Sequence, residues 1–62
     1  MSRVELVARC RPWAGLGVVS ARVSVEQDGS VLVWDSVAKH YTRCHSLGAS
    51  ALRRIRRMAV AS

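Results

Sequence analysis

The fold of this chain is decided by Val23-Ser24-Val25-Glu26-Gln27-Asp28-Gly29-Ser30-Val31-Leu32-Val33-Trp34. Apolar and polar residues alternate on both sides of Asp28-Gly29, as they do in two strands of a half-buried sheet. Asp-Gly favours a type I′ turn, in which both central residues have positive φ. The sequence therefore predicts an antiparallel β-hairpin over about residues 18–36.

A two-residue turn at Asp28-Gly29 fixes the predicted strand register. Arg22 then lies opposite Asp35, and the two form a cross-strand ion pair. One sheet face becomes apolar and needs a cover; its residues are Val19, Ala21, Val23, Val25, Leu32 and Trp34. The other face carries Val31 and Val33 among polar neighbours, which makes this pair a candidate protein contact or dimer seam.

Residues upstream of the hairpin predict a further strand and a loop. Residues 3–10 alternate, with Val4, Leu6, Ala8 and Cys10 on the apolar side. Proline and glycines then break the pattern, so residues 11–17 are predicted to form a loop. Trp13 in this loop either folds back onto the core or stays exposed for stacking. Residues 36–45 either extend the second hairpin strand irregularly or form a connection with one helical turn.

The C-terminal residues predict an amphipathic helix over about residues 49–60, beginning after Gly48 or Ser46. Its apolar residues recur at three- and four-residue spacings and are Ala51, Leu52, Ile55, Met58 and Ala59. A helix of about a dozen residues is marginal alone, so its Leu52/Ile55/Met58 stripe should cover the sheet. The fold class is therefore α+β. Residues 1–62 form a single domain, with a small antiparallel sheet of two to three strands packed by one C-terminal helix.

The small size of the chain favours self-association. A chain of 62 residues buries only about 60% of its unfolded surface, which leaves a thin stability margin. Domains of this size commonly gain stability from a metal, a disulfide or a second copy. A homodimer is the simplest of these here, because the sequence has enough valines to form a core and also a contact between two copies.

The cysteine content indicates a cytoplasmic protein without a cofactor. Met1–Leu6 lacks the apolar segment of a signal peptide, and no apolar run approaches the length of a membrane span. Cys10 and Cys44 are then expected to be reduced, small buried residues. Together with His40 and His45 they match zinc ligands in type, but no Cys-x2-Cys spacing is present. No metal site and no other cofactor is therefore predicted.

The net positive charge of the chain lies entirely in its C-terminal part. In residues 1–35 four arginines balance four acidic residues, whereas residues 36–62 hold no acid and carry all of the net charge of +6. Like charges three and four residues apart destabilise a helix by a few tenths of a kcal/mol each, so a functional role is more plausible than a structural one. Arginine's planar guanidinium suits phosphate, which predicts binding to DNA or RNA with weak sequence preference. The predicted contact residues are Arg53, Arg54, Arg56 and Arg57, with Lys39 and Arg43 at the margin and Tyr41 as an added stacking group.

Three alternatives to nucleic-acid binding remain at the sequence level. The arginines could dock on an acidic protein surface, as in a small adaptor or inhibitor. They could also only keep a small apolar protein soluble. A membrane surface is disfavoured, because the apolar helix face is needed to cover the sheet. Catalysis is not expected, since Cys44 beside His45 is only a sequence adjacency and no phosphate-binding glycine loop is present.

Overall fold

A computed structural model, which describes residues 3–44 and 46–62, shows an α+β fold with one open antiparallel sheet. The strands follow chain order across the sheet, and one helix packs against it. These elements are β1 (Val4–Cys10), β2 (Val19–Val25), β3 (Val31–Asp35), β4 (His40–Arg43) and α1 (Ala49–Ala61). The predicted fold class, hairpin and C-terminal helix are confirmed. The predicted count of two to three strands is too low, because residues 40–43 form an additional strand.

The β2–β3 hairpin closes through a three-residue loop, so the predicted two-residue turn is wrong. The amide of Glu26 donates to the Ser30 carbonyl at 2.8 Å, and the amide of Gly29 donates to the Glu26 carbonyl at 2.9 Å. In this loop only Gly29 has a positive φ, +88°. This is a type I turn followed by a left-handed residue, the usual three-residue hairpin. Val25 therefore pairs with Val31, one residue away from the predicted register.

The one-residue change exchanges the two faces of β3 relative to β2. Val31 and Val33, which were predicted to face outward, are buried at 5% and 1% exposure. Leu32 and Trp34, which were predicted to face the helix, lie on the opposite face. The correction follows from packing, because the observed register gathers the β-branched valines of both strands on the face that α1 covers.

Asp35 closes the β3–β4 turn and does not form the predicted ion pair with Arg22. Its carboxylate accepts hydrogen bonds from the amides of Val37 at 2.9 Å and Ala38 at 3.0 Å. Its carbonyl accepts the amide of Lys39, which has a φ of +64°. This bond closes a single helical turn over residues 35–39, as one of the two predicted alternatives has it, but the chain then returns as β4, which neither alternative included.

Helix α1 is held mainly by Ile55, which is completely buried. Ala59 is buried beside it and Leu52 packs against the same core, whereas Met58 remains 38% exposed at the margin. The predicted Leu52/Ile55/Met58 stripe is therefore replaced by a Leu52/Ile55/Ala59 stripe. The helix begins after Gly48, as predicted, without a side-chain cap.

The predicted loop over residues 11–17 and the predicted strand before it are confirmed. Ala8 and Cys10 on the apolar side of β1 are buried beneath the helix. Trp13 folds back and packs against the core, which settles the choice between a packed and an exposed tryptophan.

Candidate nucleic-acid interface

Two of the helix arginines brace α1 against the sheet. Arg54 donates from Nη2 to the carbonyl of Arg9 on β1 at 2.7 Å. Arg56 donates from Nε to the carbonyl of Gly29 in the hairpin loop at 2.6 Å. Arg54 and Arg56 lie about 200° apart around the helix, so they form their hydrogen bonds on opposite sides of the helix. All four arginines are exposed, but Arg54 and Arg56 turn back toward the sheet and the hairpin loop.

Arg53 and Arg57 form the outward surface of the helix. Both are exposed, and in the described part of the chain neither makes a hydrogen bond or an ion pair. They lie four residues apart, about 6 Å along the helix axis, and repel each other. No acidic residue occurs in α1 to offset them. Their charges are therefore available to an anion.

Arg43 and Arg56 line the same cleft, although they are 13 positions apart in sequence. The cleft has a volume of about 200 Å³ and lies where the hairpin, β4 and the helix meet. Its other lining residues are Ser30, Val31, Cys44 and Leu52. Arg56 is held through Nε, and its two terminal nitrogens make no hydrogen bond to any residue that the structure describes, so they can bind an oxygen ligand. Two arginines that line one cleft give it a positive potential, which favours a phosphate group.

Two acidic residues lie near Arg43 in a second depression, separate from the cleft that Arg43 shares with Arg56. A shallow depression of about 660 Å³ is lined by Arg43 with Glu26 and Asp28. Hydrogen bonds from the Ser30 hydroxyl and amide lower the pKa of Asp28, with a smaller contribution from Arg43. Asp28 therefore stays ionised, and an incoming anion is favoured on the helix side of Arg43 rather than in the depression.

Lys39 does not join the other predicted contact residues. It lies in the β3–β4 turn, whereas Arg43 ends β4 at the other end of the sheet, beside the β2–β3 hairpin. The six predicted residues therefore divide into four groups: the outward pair Arg53/Arg57, the cleft pair Arg43/Arg56, the bracing Arg54 and the distant Lys39.

The outer face of the sheet, opposite the helix, carries an aromatic pair, of which only Tyr41 is predicted from the sequence as a stacking group. Trp34 and Tyr41 lie opposite each other on β3 and β4, with ring centroids 5.1 Å apart and ring planes at 72°. The guanidinium of Arg3 lies 5.5 Å from the Tyr41 ring centroid and pairs with Glu26 at 3.1 Å. Trp34 was missed because the predicted register placed it in the core.

Tyr41 is shielded on this face. Its hydroxyl is buried and, among the described residues, makes no hydrogen bond of good geometry. Burial raises the pKa of Tyr41, and the nearby Glu5 carboxylate raises it further. With its hydroxyl buried and Arg3 beside its ring, Tyr41 is less available for stacking than Trp34, which is 38% exposed.

The thiols and histidines do not assemble a metal site within residues 3–44 and 46–62. Cys10 and Cys44 are both unpaired thiols. Cys44 donates from Sγ to the Pro12 carbonyl at 2.8 Å, and burial raises the pKa of Cys10. His40 lies at the exposed start of β4, and His45, the remaining candidate ligand, lies outside the described residues.

No described helix combines the length and apolar character needed to cross a bilayer. Comparison with known proteins adds no functional assignment: no family model matches the chain, and no curated protein or solved structure is significantly similar to it.

Proposed function

We propose that this protein binds the phosphate backbone of DNA or RNA through its arginine-rich C-terminal helix and does not catalyse a reaction. The observation that carries the proposal is the cleft shared by Arg43 and Arg56. It lies beside the outward pair Arg53/Arg57, on a helix that has no acidic residue to neutralise it.

The proposed interface combines one anchored guanidinium, that of Arg56, with those of Arg53 and Arg57, which make no hydrogen bond among the described residues. Arg56 is already fixed by the Gly29 carbonyl, so less side-chain entropy is lost when it binds a phosphate. Arg43 completes the cleft from the other side, and Arg53 and Arg57 contact neighbouring phosphates along the helix. Arg54 and Lys39 add positive potential without meeting the same phosphate. With no recognised base-reading motif, the sequence preference is weak.

The proposal also covers the cellular location and the oligomeric state of the protein. We place the protein in the cytoplasm, because Cys10 and Cys44 are unpaired thiols, as expected in a reducing compartment. We also propose that it acts as a homodimer, because a single chain of this size has a thin stability margin.

A protein partner with an acidic surface is the second candidate. It is favoured by the outer sheet face, where Val7 is 57% exposed and Trp34 is 38% exposed. Exposed tryptophan and arginine are typical of protein interface centres. The apolar residues would supply the buried contact, and Arg22, which lies opposite Val7 on the same outer face, would meet the acidic surface.

The salt dependence of binding distinguishes these candidates. Binding of the full chain to a generic duplex and a generic single strand is measured by fluorescence anisotropy over a series of salt concentrations. Three phosphate contacts, one in the cleft and one each at Arg53 and Arg57, predict a log–log slope of about −3 on duplex DNA. Absence of binding to either probe at low salt would exclude the nucleic-acid function and leave the protein partner.

A further inference from the structure

The backbone of β1 at the edge of the sheet is free to pair with another strand. β1 and β4 are the two edges. The amide of Glu26 donates to the Ser30 carbonyl, so the backbone groups of Glu26 and of alternate residues before it point toward β3. The backbone N–H and C=O groups of the residues between them, such as Val25, point toward β1. Their partners on β1, such as Val4, point back toward β2.

The intervening residues of β1 must therefore direct their backbone groups away from the sheet. These residues are Glu5, Val7 and Arg9. The bond from the Arg54 guanidinium to the Arg9 carbonyl agrees with this geometry, because it reaches that carbonyl from outside the strand ladder. Apart from the Arg9 carbonyl, the outward backbone groups of Glu5, Val7 and Arg9 have no partner among the described residues, and such an edge can pair with a further strand.

We propose that β1 pairs antiparallel with β1 of a second copy of this chain, about a two-fold axis at Val7. In this arrangement Glu5 lies opposite the partner's Arg9, and Arg9 lies opposite the partner's Glu5. Val7, which is 57% exposed in the single chain, lies against the partner's Val7. Both charge pairs and the apolar pair are repeated by the two-fold axis, so the edge complements itself.

The neighbouring registers are less favourable. Moving the axis to Leu6 places Glu5 opposite the partner's Val7, which loses both the ion pairs and the apolar pair. Moving the axis to Ala8 places Val7 opposite the partner's Arg9 and loses the apolar pair. Only the axis at Val7 aligns all the outward-pointing residues of β1 with one another.

The other edge of the sheet fits a second copy less well. β4 has four residues against seven in β1. The carbonyl of Tyr41 lies 3.0 Å from Nδ1 of its neighbour His40, so part of that edge is already occupied. On the β1 side, the Arg9 carbonyl keeps a second lone pair for the new strand while Arg54 remains bound.

Charge reversal in the absence of nucleic acid tests the dimer. Sedimentation velocity of the full chain should show a dimer forming at submillimolar concentrations. Glu5→Arg and Arg9→Glu should each raise the dimer Kd roughly tenfold, because two attractive pairs become repulsive. The double variant restores opposite charges and should return the Kd close to that of the wild type. Arg22→Glu, which changes the charge equally on the inner strand β2, is the matched control.

Backbone blocking gives a second test that does not depend on charge. Proline at position 7 removes an outward N–H and leaves the β1–β2 ladder intact, so Val7→Pro should abolish the dimer and keep the strand signal in circular dichroism. Amide exchange of Glu5, Val7 and Arg9 should slow as the concentration rises. A wild type that stays monomeric at submillimolar concentrations would overturn the proposal. So would a dimer that is indifferent to both charge reversals, or a double variant that fails to recover.

Discussion

Replacing Val33 with threonine tests the strand register, because the two side chains have nearly the same shape and differ by one hydroxyl. In the structure Val33 is 1% exposed and lies opposite Val23 beneath the helix. In the register expected from a two-residue turn, the same side chain would face outward. The substitution therefore places a hydroxyl either in the core or in water.

The expected effect is large for a protein of this size. Burying an unpaired hydroxyl costs about 1–3 kcal/mol in proteins. The whole free energy of unfolding of 62 residues is on the order of 3–9 kcal/mol. Each kcal/mol lowers Tm by about 4–8 °C in a domain of this length. Val33→Thr should therefore remove a substantial part of the stability without preventing folding.

Urea and thermal unfolding followed by circular dichroism provide the assay. Val37→Thr is the control, because Val37 lies in the β3–β4 turn at 91% exposure; it should change stability by less than about 0.5 kcal/mol. Equal effects of the two substitutions would refute the reasoning, since they would show that position 33 is no more buried than a turn residue.

Other residues give independent tests of the fold. Gly29→Ala should cost about 1 kcal/mol in a thermal melt because its φ is +88°, whereas Gly17→Ala, which has open space and no positive φ, should be neutral. Arg54→Gln and Arg56→Gln should each cost roughly 0.5–1 kcal/mol in urea, because each loses a guanidinium–carbonyl hydrogen bond; wild-type midpoints would contradict the bracing role. Tyr41, the sole tyrosine, should titrate above its ordinary pKa of 10.0 in tyrosinate absorbance. Its raised pKa adds stability that is present below the ordinary value and is lost as the pH rises through the raised one; a pKa at or below the ordinary value would contradict its burial.

The positions of the hairpin and the helix were predictable because each has a local signal. Asp28-Gly29 marks a turn between alternating segments, and the spacing of Leu52 and Ile55 marks one apolar helix face. The register was not predictable from the turn residues alone, because Asp-Gly occurs in both two-residue and three-residue loops. The deciding factor is the burial of the valines of β2 and β3, which depends on the helix.

The strand β4 had no local signal of its own. His40-Tyr41-Thr42-Arg43 is short and polar. The preceding Lys39 adopts a positive φ, which a lysine in the sequence does not predict. The strand forms because Asp35 caps the turn and because Trp34 and Tyr41 pack across it.

The candidate site was predictable in composition but not in arrangement. The charge of the helix is evident from the sequence, but the carbonyl groups that hold Arg54 and Arg56 lie in other elements and depend on tertiary structure. For the same reason, the sequence could not show that Arg43 shares a cleft with Arg56 or that Lys39 lies far from both.

The salt dependence of nucleic-acid binding by an arginine variant shows directly whether the outer helix face contacts phosphates. Arg53→Gln/Arg57→Gln should keep the fold, weaken binding to all sequences alike and reduce the slope magnitude by about 2. The control, Arg11→Gln/Arg22→Gln, removes the same charge at exposed positions outside the helix and should change the slope much less. An unchanged slope in the helix variant together with a reduced slope in the control would contradict the proposed site.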